Sequence, residues 1–306
     1  MKTRMFAVLA GSLLAPVAAQ AGEYVFTQID YPGATQTQVF GINNRGEVVG
    51  NGLSTVSSPF IYKWEDGTFT DVPPVAPDMS TSVLAINDAH VLAGSAVDPS
   101  GGFQSAVVIR TDGTYELFTH PDAFVLTQAR GINDRGIVTG YRDALDGTTI
   151  GFVWRPTTGT FIDIVPSTMT LAHGINTAGE IVGSAVLEEG DACPGSAADS
   201  FGWVRGTDGS VRYFRVNGHF TQARGINDRG VIAGTITDDA GLRRGFTARL
   251  LGSEPCQAVK IPPARLIQFP GWDATILEGI SNTGVIAGIV LNNIDGLQHG
   301  FVAVPQ

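Results

Sequence analysis

The sequence predicts an all-β fold: a six-bladed β-propeller with four-stranded antiparallel blades, its last blade closed by the N-terminal strand. Three observations predict it. A ten-residue phrase recurs six times at near-regular intervals. Each interval holds four short strand patterns divided by turns, and the two chain ends carry complementary parts of one interval.

The phrase reads GINNRGEVVG (41–50), AINDAHVLAG (85–94), GINDRGIVTG (131–140), GINTAGEIVG (174–183), GINDRGVIAG (225–234) and GISNTGVIAG (279–288). Successive starts lie 44, 46, 43, 51 and 54 residues apart. A period near 45 residues marks units that are each one supersecondary block, too small to bury an apolar face alone.

The third unit shows what such a block builds. TQARGIN is a strand, DRG a tight turn and IVTGYR a second strand; DALDGTT is a loop, GFVWRP a third strand, TTG a turn and TFIDIV a fourth. β-Branched and aromatic residues fill the strands, while Gly, Asn and Asp fill the turns. The recurring phrase is therefore the hairpin between strands one and two. Its isoleucine (42, 86, 132, 175, 226, 280) anchors the turn to the core, and its asparagine (43, 87, 133, 176, 227) accepts backbone N–H groups across it. The glycine at 46, 136, 179, 230 and 284 takes the positive-φ position. His90 replaces that glycine, so the second unit's turn is expected to differ.

Closure follows from the ends. The last unit stops after its third strand, while YVFTQIDYPGA near the start resembles the fourth strand and exit loop of other units, such as RLIQFPGWDA at 265–274. The segment at about 24–30 is expected beside 300–304, which removes two exposed sheet edges.

Before that strand, Lys2 and Arg4 precede an apolar run ending in Ala19-Gln20-Ala21, the pattern of a secretory signal peptide over 1–21. That leaves 22–306 as a single propeller domain, exported to the periplasm or the exterior. Loss of Lys2 and Arg4 takes the formal charge from −10 to −12. Such an acidic chain repels phosphate backbones and anionic lipid, so neither nucleic acid nor a membrane is an expected partner. Cys193 and Cys256 fall in two insertions, at about 187–199 and 252–263, and an even cysteine number in an exported chain suggests a disulfide. The two loops leave opposite faces of a propeller, so pairing requires both to wrap the rim between blades four and five.

The units resemble the HAF repeat of bacterial extracellular proteins. His299-Gly300-Phe301 carries its signature triplet, with Gly151-Phe152, Gly202-Trp203 and Gly245-Phe246 in the equivalent places and Ser105-Ala106 departing from it. The resemblance implies an exported repeat protein without an established activity.

Candidate ligand-binding residues come from the variation between units. Units one, three and five open strand one with Thr37-Gln38, Thr127-Gln128 and Thr221-Gln222, and carry Arg45, Arg135 and Arg229 at the turn. This alternation suggests a pseudo-threefold with three glutamines near the channel mouth, able to hold water, an ion or a sugar-like ligand. The residue just before the phrase's isoleucine-containing turn dipeptide is mixed: Phe40, Leu84, Arg130, His173, Arg224 and Glu278. If Arg130, His173, Arg224 and Glu278 converge, they form either a binding constellation or an ion-pair network.

The expected function is a non-catalytic ligand-binding or interaction scaffold for an unknown small molecule, glycan or protein, with no cofactor and no metal. Asp98, Asp143, Asp146, Asp238, Asp239 and Asp295 gather in the loops joining strands two and three, but without the dense ladder of a calcium loop. No catalytic motif is present. The rival reading is a glycan- or lactone-directed hydrolase or lyase at the channel mouth using His120, Asp122, His173 and His219. It requires at least two of these within about 4–6 Å.

Overall fold

A computed structural model describes residues 24–55, 57–164, 169–187, 193, 199–252, 254–259, 264–292 and 296–306. The signal-peptide segment 1–21 and Asp295 lie outside the described residues.

Strand β1 (Tyr24–Ile29) is followed by β2–β5 (Gln36–Ile42, Glu47–Leu53, Ser57–Lys63, Thr68–Asp71), which form blade one. Blade two is β6–β9 (Ser80–Ile86, Leu92–Val97, Gln104–Ile109, Tyr115–Phe118), and blade three is β10–β13 (Thr127–Ile132, Val138–Asp143, Thr149–Arg155, Thr160–Ile164). Blade four is β14–β17 (Met169–Ile175, Ile181–Leu187, Asp199–Arg205, Val211–Val216). Blade five joins β18–β20 (Phe220–Ile226, Ile232–Thr237, Arg243–Ala248) to β22 (Arg265–Ile267). Between them, β21 (Cys256–Val259) leaves blade five and adds to β17 as a parallel fifth strand of blade four. Blade six is β23–β25 (Ala274–Ile280, Ile286–Leu291, Gln298–Pro305) closed by β1.

That closure is antiparallel, from Tyr24 opposite Pro305 to Ile29 opposite Gly300. It is the pairing expected from the chain ends. No helix among the described residues is long and apolar enough to cross a membrane.

The core lies in the seams between blades. Each of six apolar clusters joins residues of two neighbouring blades, as where Val39, Val48 and Phe60 meet Val285, Ala287 and Val302. The third-strand aromatics Phe60, Phe152, Trp203, Phe246 and Phe301 are all fully buried. Opposite each on strand two stands the phrase's last glycine, Gly50, Gly140, Gly183, Gly234 or Gly288. A Cβ at Gly234 would lie 2.1 Å from the Gln222 carbonyl oxygen and 2.8 Å from the Phe246 ring. Only glycine fits there.

The phrase's turn is built as the sequence implies. Gly46, Gly136, Gly179, Gly230 and Gly284 have φ between 69° and 99°. The second turn, expected to differ, does not: His90 adopts φ 61° and donates its backbone N–H to the Asn87 carbonyl, as Gly136 does to Asn133. Its imidazole reaches Glu47 at 3.0 Å, which ties the turn of blade two to blade one.

Cys193 and Cys256 form a disulfide, Cα–Cα 5.6 Å, across 63 residues of sequence. Strand β21 makes it feasible: by running along the outer edge of blade four, the second insertion brings Cys256 back over the rim.

Candidate functional site

Each innermost strand carries a β-bulge at the same place. The ladder to strand two skips Phe40, Leu84, Arg130, Arg224 and Glu278 in five blades, and His173 with Gly174 in blade four. A bulged residue has no cross-strand partner, and the local kink re-aims its side chain. Here the kinks assemble a ring of side chains about the axis: Phe40, Leu84, Arg130, Arg224 and Glu278 face one cavity, and His173 is buried beside it.

Four ionisable groups meet in that ring. Arg224 Nη1 lies 3.1 and 3.2 Å from the two Glu278 carboxylate oxygens, and Nη2 donates to Gln222 Oε1 at 2.9 Å. Arg130 Nη2 stands 3.8 Å from Glu278, with its guanidinium 5.7 Å from the Phe40 ring centre. His173 is 4% exposed, and neither ring nitrogen has a hydrogen-bond partner. Burial, reinforced by Arg224 and then Arg130, holds its pKa well below the usual imidazole range.

Phe40, Leu84, Arg130, Arg224 and Glu278 line an axial cavity of about 80 Å3. Its floor is the six isoleucines of the phrase, and beyond them lies a second cavity of about 70 Å3, lined by the asparagines. Glycine at the phrase's first position lets neighbouring innermost strands come this close: a Cβ at Gly131 would stand 2.3 Å from the His173 carbonyl oxygen.

The second cavity is walled by two belts of hydrogen bonds. Asn43, Asn87, Asn133, Asn176 and Asn227 each donate a side-chain N–H to the backbone carbonyl of the equivalent residue in the next blade. Their Oδ1 atoms meanwhile accept N–H groups of their own turns, such as Arg135 and Ile137 for Asn133. Next to them, Asp88, Asp134, Asp228, Asn282 and Asn44 accept a backbone N–H from the preceding blade. The phrase is thus an interblade clasp as well as a turn, a role that its local pattern does not reveal.

The threonine–glutamine pairs sit elsewhere. Thr37, Thr127 and Thr221 are buried, and their hydroxyl oxygens accept the N–H of Tyr31, His120 and Val216 in the incoming connection. Thr81 and Thr275 do the same for Val75 and Phe269. The threonine belongs to every unit, so its pairing with glutamine in alternate units is incidental. Gln38 donates to Gln298, Gln128 accepts from Tyr141 and Gln222 accepts from Arg224. None of the three amides bonds another, and none lines the axial cavities.

His120 and Asp122, in the link between blades two and three, gather with Asp163 of β13, one ligand-type atom from each within 4.8 Å of the others, which meets the spacing that the hydrolase or lyase reading requires. His120 Nδ1 accepts the Asp122 backbone N–H, and Nε2 lies 3.0 Å from Asp163 Oδ1 without a hydrogen bond between them. Arg142 donates to Asp163 and to the Asp122 carbonyl. The imidazole is 4% exposed and its pKa is lowered, chiefly by burial. His219 lies apart from this group, 3.3 Å from Asp239. The loop aspartates act as turn acceptors: Asp98 for Ser100, Asp146 for Thr148 and Asp238 for Ala240 and Leu242. Asp143 accepts three successive N–H groups, from Phe124, Val125 and Leu126.

No protein-family model and no curated protein matches the chain. Among solved structures it is similar to a protein provisionally described as a gluconolactonase, at 14% identity and TM-score 0.53, over 94% of this chain and 93% of that one. It is also similar to streptogramin B lyase, at 9% identity and TM-score 0.49, over 93% and 98%. A third is the β-propeller domain of the trilobed protease from Pyrococcus furiosus, at 9% identity and TM-score 0.42, over 88% and 97%. At such identities the likeness is one of fold.

Proposed function

We propose that this chain is an exported, non-catalytic β-propeller of the HAF-repeat kind, which binds its ligand at the axial cavity. The carrying observation is the ring of bulges: kinks in six strands place Arg130, Arg224 and Glu278 on one small space, with His173 buried beside it. A seam built for packing alone would fill that space with apolar side chains. The disulfide fits an oxidising compartment, as the N-terminal signature does. The buried aromatics of the Gly-Phe and Gly-Trp pairs support the repeat resemblance, since each packs the seam of its blade. The non-catalytic reading is supported by the burial of His120, whose Nδ1 is taken by a backbone N–H, and by the lack of a Ser, Cys or Thr among the described residues lining the axial cavity.

Thermal unfolding of the full protein against a panel of glycans, cell-envelope fragments and small metabolites tests this. At least one ligand is expected to raise Tm, with stabilisation of about 2.7 kcal/mol at a hundredfold excess over Kd. The shift should shrink when Arg130→Gln is introduced, which removes a positive charge from the cavity wall. A panel without a single shift counts against the reading. Turnover of a glycan or lactone that His120→Gln abolishes would transfer the function to the hydrolase or lyase class.

A further inference from the structure

We infer that the group bound on the axis is a single carboxylate, or an oxyanion of the same size and charge, held by Arg130 beside the buried His173; this rests on the axial binding reading above. The charges around the cavity do not balance. Glu278 is matched by Arg224 at 3.1 and 3.2 Å, while Arg130 stays at 3.8 Å, beyond hydrogen-bond reach. The Arg130 side chain is 13% exposed, and no described residue accepts a hydrogen bond from its guanidinium. One positive charge therefore lacks a hydrogen-bonded counter-ion, in a space walled by Phe40, Leu84 and the isoleucines. Burying a charge without a partner is costly.

Two further vacant donors border this cavity: Arg224 lines it, and His173 precedes the lining residue Gly174. A neutral imidazole always carries one N–H, and both His173 nitrogens are buried and unpartnered. Arg224 Nε is buried and unpartnered as well. His173 stands between Arg130 and Arg224 in blade order, near enough for both guanidinium charges to act on its ring. Water can accept hydrogen bonds from the Arg130 guanidinium, but it cannot supply the missing charge. A monoanion supplies both. A dianion does not suit the site, because Glu278 already holds a negative charge there and only one positive charge is uncompensated. The cavity, about 80 Å3, fits a carboxylate group rather than a whole sugar, so a larger ligand would enter by its acidic end.

The test is calorimetric titration of the full protein with acetate and with acetamide, its neutral counterpart, while NMR follows the His173 ring signals, assigned with His173→Gln. Acetate is expected to bind saturably and move the His173 signals, and acetamide to do neither. Arg130→Gln should weaken acetate at least about tenfold, and Arg130→Lys should restore part of the loss. Glucuronate and glucose separate the sources: tighter binding of glucuronate than acetate assigns the carboxylate to a sugar acid, and acetate binding alone assigns it to a free small anion. Equal binding of acetate and acetamide, or acetate binding unchanged in Arg130→Gln, overturns the assignment. The axial reading would survive that result if a neutral ligand still moved the His173 signals, and would fall if none did. Should Arg130→Gln not fold, the acetate and acetamide comparison on the unaltered protein decides.

Discussion

Single residues bear the closest steric demands of this fold. Gly234 opposes both a carbonyl oxygen and an aromatic ring, so Gly234→Ala is expected to cost about 1–3 kcal/mol, read by urea denaturation. Gly230 faces open space and is needed only for its φ of 69°, so Gly230→Ala should cost about 1 kcal/mol. His90 holds the same backbone conformation without being glycine. His90→Gly relieves that strain but removes the half-exposed contact with Glu47. It should therefore be neutral or stabilising by up to about 1 kcal/mol, and a larger loss would contradict the strain assignment. The buried imidazoles set a pH dependence. Folding holds His173 and His120 neutral below the usual imidazole pKa of about 6.5, whereas the unfolded chain protonates there. The unfolded state then binds more protons, so stability is full above about pH 6.5 and declines as pH falls below it. His173 alone gives a slope of up to about 1.4 kcal/mol per pH unit. His173→Gln should flatten the decline measured by denaturation between about pH 7 and pH 5.

At the scale of elements, the outer rim of blade four is held from two directions. Strand β21 pairs with β17 through backbone hydrogen bonds, and the disulfide ties its first residue to Cys193. Replacing both cysteines by serine is expected to lower stability by about 2–4 kcal/mol. Hydrogen exchange should quicken first at 256–259, because the parallel strand is short and stands at an edge. Uniform loss of protection through all six blades would contradict this local role. The insertions were visible in the sequence as two overlong intervals with one cysteine each. That the second would change blades was not visible: strand pairing across a rim depends on which edge is open, and no local pattern records that.

At the scale of the whole molecule, stability depends on the ring being closed. Phe26 of β1 packs against Phe269 and Phe301 of the seam between blades five and six, with ring centres 4.9 and 5.9 Å away. Phe26→Ala is expected to cost about 3–5 kcal/mol. Removing Tyr24–Asp30 altogether should expose the edge of β25 and produce aggregation on size-exclusion chromatography. A monomeric, cooperatively unfolding product would show that closure is dispensable.

Blade number, hairpin positions and the joining of the two ends were all written in the sequence, because each rests on a pattern within a few residues, repeated six times. The bulged position was also legible as a place where the repeats disagree: Phe40, Leu84, Arg130, His173, Arg224 and Glu278. What only the tertiary structure decided is which side chains meet. Alternation picked out the glutamines, and the folded chain supplies their partners: Gln298 for Gln38, Tyr141 for Gln128 and Arg224 for Gln222. The reason is the bulge itself. One extra residue in a strand redirects its own side chain toward the axis and leaves its neighbours in the ordinary ladder. Whether that redirection brings Arg130 to Glu278, 148 residues later, depends on the closed ring and not on either stretch of chain.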